Sequence, residues 1–245
     1  MKNALETKGL VKEFGGVHAV DRLSIQIPKG EIVGIIGPNG SGKTTLANVL
    51  TGVHTIDGGS IIIGGETEKK NLRSYEVFAL GITRTFQNVR VFEQISVLDN
   101  ILIAITARTP LNALFEKHTA FHENKAREVL ERVGLWEKRG ENASTLSYGQ
   151  RKLLEIARAL ATGADTILFD EPFAGLFPEM VKLVSGIMKE LRAGEKTVLL
   201  IEHDMAIIRE LCDRVIVMEA GKLLVEGKPE EVLSNPKVIE AYLGV

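Results

Sequence analysis

The chain has 245 residues, 44% apolar and 25% charged, with 30 Lys and Arg against 32 Asp and Glu. That mix supports a full hydrophobic core and excludes a disordered chain, a collagen-like chain and a disulfide scaffold. The net charge of −2 argues against a strongly basic nucleic-acid binder, the single Cys212 fits a reducing compartment, and no apolar run reaches the ~18–20 residues of a membrane span.

Glycine is unevenly spread. Fourteen of the 24 lie from Gly9 to Gly81, and none occurs from 82 to 133. In the Gly-rich first third, the short apolar runs Ser24–Ile27, Ile32–Ile36 and Ser60–Ile63 read as strands. Gly58, Gly59, Gly64 and Gly65 punctuate hairpins in an antiparallel edge subdomain.

Residues 37–44, GPNGSGKT, match the phosphate-binding pattern G-x-x-x-x-G-K-[ST]. A strand precedes the loop and a helical run, Thr45 to Leu50, follows it. Backbone N–H groups and the helix N-terminus can therefore converge on an anion. Gly37, Gly40 and Gly42 leave room for positive φ, Lys43 reaches the β- and γ-phosphates, and Thr44 can ligate Mg²⁺.

In the Gly-free zone, Ala126, Val129, Leu130 and Val133 recur at helical spacing, with Gly134 as a C-cap. LSYGQ at 146–150 opens the next helix, with Ser147 near its N-cap. The runs Thr166–Phe169, Val198–Ile201 and Val215–Met218 then read as buried strands. Helical segments over 153–160, 181–191 and 207–211 separate them, and this alternation predicts a mostly parallel α/β sheet. Lys222–Glu226 reads as a hairpin return, and Asn235-Pro236 opens a last helix. TILFDE ends its strand on two acids. Asp170 is suited to a Mg²⁺ shell, and Glu171 to general-base work on an attacking water. On an extended chain the two side chains point opposite ways.

The order P-loop, LSYGQ, strand ending in Asp-Glu, then His203 in IEHD resembles the ATP-binding cassette ATPases over essentially the whole chain. The resemblance implies a P-loop NTPase (RecA-like) core with a mostly parallel sheet, an antiparallel β subdomain and an inserted α-helical subdomain. It implies a core over 1–86 and 150–245 and a helical subdomain over 87–149. It also implies ATP and Mg²⁺ as ligands. Phe14 would stack on adenine, with Val20 beside it. Pro38, Asn39, Ser41 and Thr45 would join the phosphate loop. Gln87 in RTFQN would touch Mg²⁺ and the attacking water, and His203 would sense the γ-phosphate. Ser147, Gly149 and Gln150 would close on the ATP of a partner in a head-to-tail dimer, formed with a second copy or a paralogous cassette. Two positions depart from the common pattern: Tyr148 stands where the signature usually has Gly, and Phe177 where the family usually has Asp or Asn.

RTFQNVRVF, LSYGQ, AGLFP, LLIEHDM and the terminal NPKVIEAYLGV together look like the ATPase subunits of branched-chain amino-acid uptake systems. This implies integral membrane permease partners, received near Val89, Val91 and Phe92. It also implies a peripheral position on the cytoplasmic face, with no contact to cargo or nucleic acid. The alternatives are a lipopolysaccharide-export ATPase, a soluble cassette ATPase outside transport, and a degenerate ATP-binding module suggested by Phe177.

Overall fold

A computed structural model of the chain describes residues 2–106 and 120–243. The ends of the Gly-free zone are therefore in view while 107–119, and the final Gly-Val of the terminal motif, lie outside the described residues. Two compact units result. Met1–Arg84, Asp165–Glu171 and Met188–Val245 form the first, and Thr85–Ala164 with Pro172–Ile187 forms the second.

In chain order, the first unit opens with β1 (Asn3–Phe14), β2 (Val17–Leu23), β3 (Gln26–Pro28), β4 (Ile32–Ile36), α1 (Lys43–Leu50), β5 (Gly58–Ile63), β6 (Thr67–Lys69), α2 (Ser74–Ala79) and β7 (Ile82–Arg84). The second unit holds α3 (Val97–Ile105), α4 (Ala120–Arg132) and α5 (Tyr148–Ala161). Then come β8 (Thr166–Asp170), α6 (Pro178–Ala193), β9 (Thr197–Ile201), α7 (Met205–Leu211), β10 (Arg214–Glu219), β11 (Lys222–Gly227), α8 (Pro229–Leu233) and α9 (Pro236–Leu243).

The first unit contains two sheets. One has the order β11-β10-β4-β9-β8-β7, parallel throughout except for the β10–β11 hairpin. Every residue of β4, β8 and β9 is buried, as expected for central parallel strands covered on both faces. The other sheet is antiparallel, in the order β2-β1-β5-β6, with β3 also paired to β1. One apolar cluster joins them: Leu5, Ile27 and Ile61 meet Val33, Leu199 and Ile216, with Leu46 and Leu50 of α1 among them. The sequence predicts a strand over Ser24–Ile27, but it forms over Gln26–Pro28. At Ile25 the carbonyl still accepts the Thr7 amide at 2.9 Å, but the Ile25 amide goes to the Thr7 hydroxyl, which in turn donates to the Leu23 carbonyl.

In the second unit, α3, α4 and α5 pack pairwise through buried Ile101, Leu102, Val129, Leu130, Leu153, Leu154 and Ile156. Helix α5 opens on a capping box. The Ser147 hydroxyl accepts the Gln150 amide, and the Gln150 side chain accepts the Ser147 amide. No helix among the described residues is long and apolar enough to cross a membrane.

Candidate nucleotide site

Parallel α/β sheets offer ligands the carboxyl ends of their strands. In the first unit, three adjacent strands bring the predicted residues to that edge. β4 runs into the loop of residues 37–42, β8 ends on Asp170, and β9, which lies between them, is followed by His203. The register aligns Ile35 with Ile201 and Ile201 with Asp170, so the three ends are level.

Gly37 and Gly42 are required by close approach. At φ +152°, a Cβ on Gly37 would stand 2.1 Å from the Met218 carbonyl oxygen. At φ +100°, one on Gly42 would stand 2.2 Å from that of Ala19. Gly42 is the N-cap of α1 and brings no side-chain cap, so the helix N-terminus keeps its partial positive charge for a ligand. Ser41 and Lys43 are buried, Pro38 is half-buried, Asn39, Gly40 and Thr44 are exposed, and Thr45 is half-buried. Lys43 Nζ donates to the carbonyls of Gly37 at 2.7 Å and Pro38 at 2.9 Å, and to Ser41 Oγ at 3.3 Å. Burial lowers its pKa, and the negative charges of Glu171 and Asp170 partly offset this. The ammonium thus folds back on its own loop.

Asp170 is 1% exposed and accepts a hydrogen bond from Arg84 Nη2 at 2.6 Å. Arg84 also donates through Nη1 to Asn48 at 2.7 Å and Thr51 at 3.2 Å, which ties the end of β7 to α1. Glu171 departs from the extended-chain expectation. Its φ is +49°, a left-handed conformation rare for a residue with a side chain. Its amide still donates to the Ile201 carbonyl at 2.9 Å. Its Oε1 lies 2.6 Å from His203 Nε2, so general-base candidate and histidine form one hydrogen-bonded pair.

Phe14 ends β1 and is 45% exposed, in edge contact with His54 (centroids 5.2 Å apart) and 5.1 Å from Lys12 Nζ. It offers a ring to a planar ligand. Val20 is fully buried in the apolar cluster.

Gln87, Ser147, Gly149 and Gln150 belong to the second unit. Gln87 is exposed, in a loop without regular structure. A Cβ on Gly149 would come within 2.7 Å of Met180 Sδ, so a larger residue there would require the flexible Met180 side chain to shift. Tyr148 is 45% exposed. Lys152 donates to the Ala174 carbonyl at 3.0 Å, and a Cβ on Gly175 would lie 3.0 Å from the Tyr148 ring, so α5 and the 174–176 segment are stapled together.

Residues that the sequence reading does not single out are Arg84, Tyr242 and Glu155. Tyr242 Oη accepts the Gly37 amide at 2.7 Å, and Glu155 is 5% exposed in mid-helix. For a Mg²⁺ ion the first unit offers a hydroxyl, Thr44, and a carboxylate, Asp170. These are hard oxygen donors suited to an ion that keeps waters and substrate phosphates as its other ligands. Among the described residues no group of three or more His, Cys, Asp and Glu forms a protein-only metal cage.

A glycine-lined loop feeding a helix, level with a strand-end acid pair and a histidine, defines a P-loop nucleoside triphosphatase. Known proteins agree. The family model for ABC transporters matches residues 20–174, and that for the branched-chain amino acid ATP-binding cassette transporter matches residues 222–245. The chain is 41% identical to the high-affinity branched-chain amino acid transport ATP-binding protein LivG of Salmonella typhimurium, over 98% of this chain and 97% of that one. Among solved structures, a nucleotide-free ATP-binding cassette from an ABC transporter superposes with TM-score 0.87 at 38% identity, covering 100% of both chains. The ADP conformation of an ATP-binding cassette of an ABC transporter gives 0.86 at 39%, again covering both chains completely. The chain belongs to the ABC transporter family as an ATP-binding, ATP-hydrolysing cassette.

Proposed function

We propose that this cassette powers the uptake of branched-chain, hydrophobic amino acids through a membrane permease. The observation that carries this reading is the match of residues 222–245 to the branched-chain amino acid family model, outside the residues that the general ABC transporter model matches. The full-length likeness to LivG supports the same branch. The chain sits on the cytoplasmic face and touches the permease, not the cargo.

In this reading the amides of residues 37–42 and Lys43 cradle the β- and γ-phosphates, with Thr45 beside them at the start of α1. Phe14 stacks on adenine, with Val20 behind it. Thr44, Asp170 and Gln87 would hold a Mg²⁺ ion, which would supply positive charge against the phosphates. Glu171 accepts a proton from the attacking water, and His203, paired to it, orients that carboxylate and senses the γ-phosphate. Ser147, Gly149 and Gln150 serve the ATP bound by the partner cassette, so two cassettes meet head to tail. The inserted helical subdomain of residues 87–149 lies within the second unit, and Val89, Val91 and Phe92 mark where it receives the permease.

The test is co-purification with membrane subunits, followed by reconstitution with ATP on the cassette side. ATP-dependent uptake of leucine, isoleucine and valine, lost in Glu171→Gln, is expected. Co-purification with a permease that moves a different cargo would overturn the substrate assignment and leave the ATPase assignment intact.

A further inference from the structure

The Gln87 loop has no strand or helix to satisfy its backbone, so its amides and carbonyls need partners from elsewhere. Two helices supply them. Glu155 Oε1 accepts both the Phe86 amide at 3.2 Å and the Arg90 amide at 3.1 Å, the two that bracket Gln87. Arg158, one turn further along α5, donates to the Arg90 carbonyl and lies 4.8 Å from the Phe92 ring. Asn100 of α3 accepts the Phe92 amide at 2.9 Å and donates to the Phe92 carbonyl at 2.9 Å. The loop therefore follows the side chains of α3 and α5 rather than its own propensity. The Glu155 carboxylate is itself buried, both amides share its Oε1, and its Oε2 has no hydrogen-bond partner among the described residues, so losing either amide would leave a costly buried group less satisfied still.

We propose that Glu155 is a positioning residue for the Gln87 loop: it clamps the two amides flanking Gln87 to the helix that carries Ser147 at its N-cap, so that loop and signature helix move as one body. A displacement at Phe92 then reaches Ser147 through α5 without first rearranging the loop. The functional part of this inference rests on the proposed role of Gln87; the clamp itself does not.

The test uses the whole chain. Glu155→Gln keeps an accepting oxygen and the side-chain volume. Glu155→Leu keeps the volume and helix propensity but accepts nothing. The leucine variant is expected to speed amide exchange at Phe86 and Arg90 by about tenfold or more. It should lower ATP turnover by about 10–100-fold while ATP affinity stays within about twofold, because only placement of a reacting group is lost. The glutamine variant should restore slow exchange and most of the turnover. In a Gln87→Ala background, Glu155→Leu should cost less than about twofold more, since both act through one group. Gln87→Ala alone is the control. Normal turnover there removes the Gln87 role, while exchange at Phe86 and Arg90 still decides the clamp. Wild-type exchange in the leucine variant overturns the proposal. So does full turnover there while Gln87→Ala is inactive, or a loss of ATP affinity that matches the loss of turnover. If the leucine variant does not fold, Glu155→Ala carries the same comparisons.

Discussion

The Tyr242 hydroxyl accepts the Gly37 amide at 2.7 Å, while Lys43 Nζ donates to the Gly37 carbonyl at 2.7 Å. The first residue of the phosphate loop is thus held on one side by the last described helix and on the other by its own lysine. Tyr242 also lines a cavity of about 290 Å³ with Met205, Arg209, Leu233, Val238 and Ile239, which seats α9 against α7 and α8. Burial pushes the Tyr242 phenol pKa up and the Gly37 bond pulls it down. Tyr242→Phe keeps the apolar ring and leaves the buried Gly37 amide without its acceptor. A loss of about 1–3 kcal/mol is expected, read as a lower urea midpoint with an unchanged m-value. An unchanged midpoint would mean that water replaces the hydroxyl at no cost.

The Arg84–Asp170 pair is the second link that reaches across the first unit. Both side chains are nearly inaccessible, at 4% and 1% exposed, and the guanidinium also serves Asn48 and Thr51. Removing one member of a buried ion pair strands the other's charge, which costs about 3–5 kcal/mol. Arg84→Met is expected to destabilise the chain by that order, and Arg84→Met with Asp170→Asn to recover most of it, as a double-mutant cycle in denaturant would show.

The parts of the site that are local in sequence are legible there. Four fixed positions in GPNGSGKT, an apolar run before Asp170 and another before His203 each announce their own geometry, because the strands that carry them are buried throughout. The parts made by distant pairing are not legible. Arg84 looks like an ordinary basic residue until β7 pairs with β8 and sets it beside Asp170. Glu155 sits where a helical wheel allows a solvated carboxylate, and only the packing of the loop over α5 buries it. Register irregularities in β1, after Leu10 and Lys12, break the alternation that would have marked the long first strand. At Glu171 the extended-chain argument does not apply, since its φ of +49° takes the residue out of the extended region.

Burial raises the Glu155 carboxyl pKa to about 7, against the Arg90 and Phe86 amides and the Arg158 and Lys152 charges, which pull it down. In the unfolded chain the group returns to its ordinary value near 4.5. Between those values the folded state binds more protons than the unfolded state, so stability falls as pH rises. The contribution is fully present below about 4.5 and lost as pH passes about 7. The expected difference between wild type and Glu155→Gln therefore shifts against wild type from pH 4.5 to pH 8, by at most about 3 kcal/mol. Denaturant unfolding across that range measures it, and parallel curves for the two proteins would exclude the titration.

Phe177 is 70% exposed, and Tyr148, packed on Gly175 in the same unit, is 45% exposed. Tyr148 opens the signature helix and Phe177 precedes Pro178, so each departure from the resembled pattern exposes an aromatic ring. A side chain so exposed contributes little to the stability of the isolated chain, so Phe177→Asp should change unfolding free energy by no more than about 0.5 kcal/mol. Its effect should appear on association. Truncating an aromatic anchor at an interface commonly costs more than about 1 kcal/mol, so ATP-dependent dimerisation in a Glu171→Gln background should weaken by about tenfold. Sedimentation with and without ATP reads this directly. Dimerisation that equals the parent's would place Phe177 outside the contact between cassettes and leave its exposed ring for another partner.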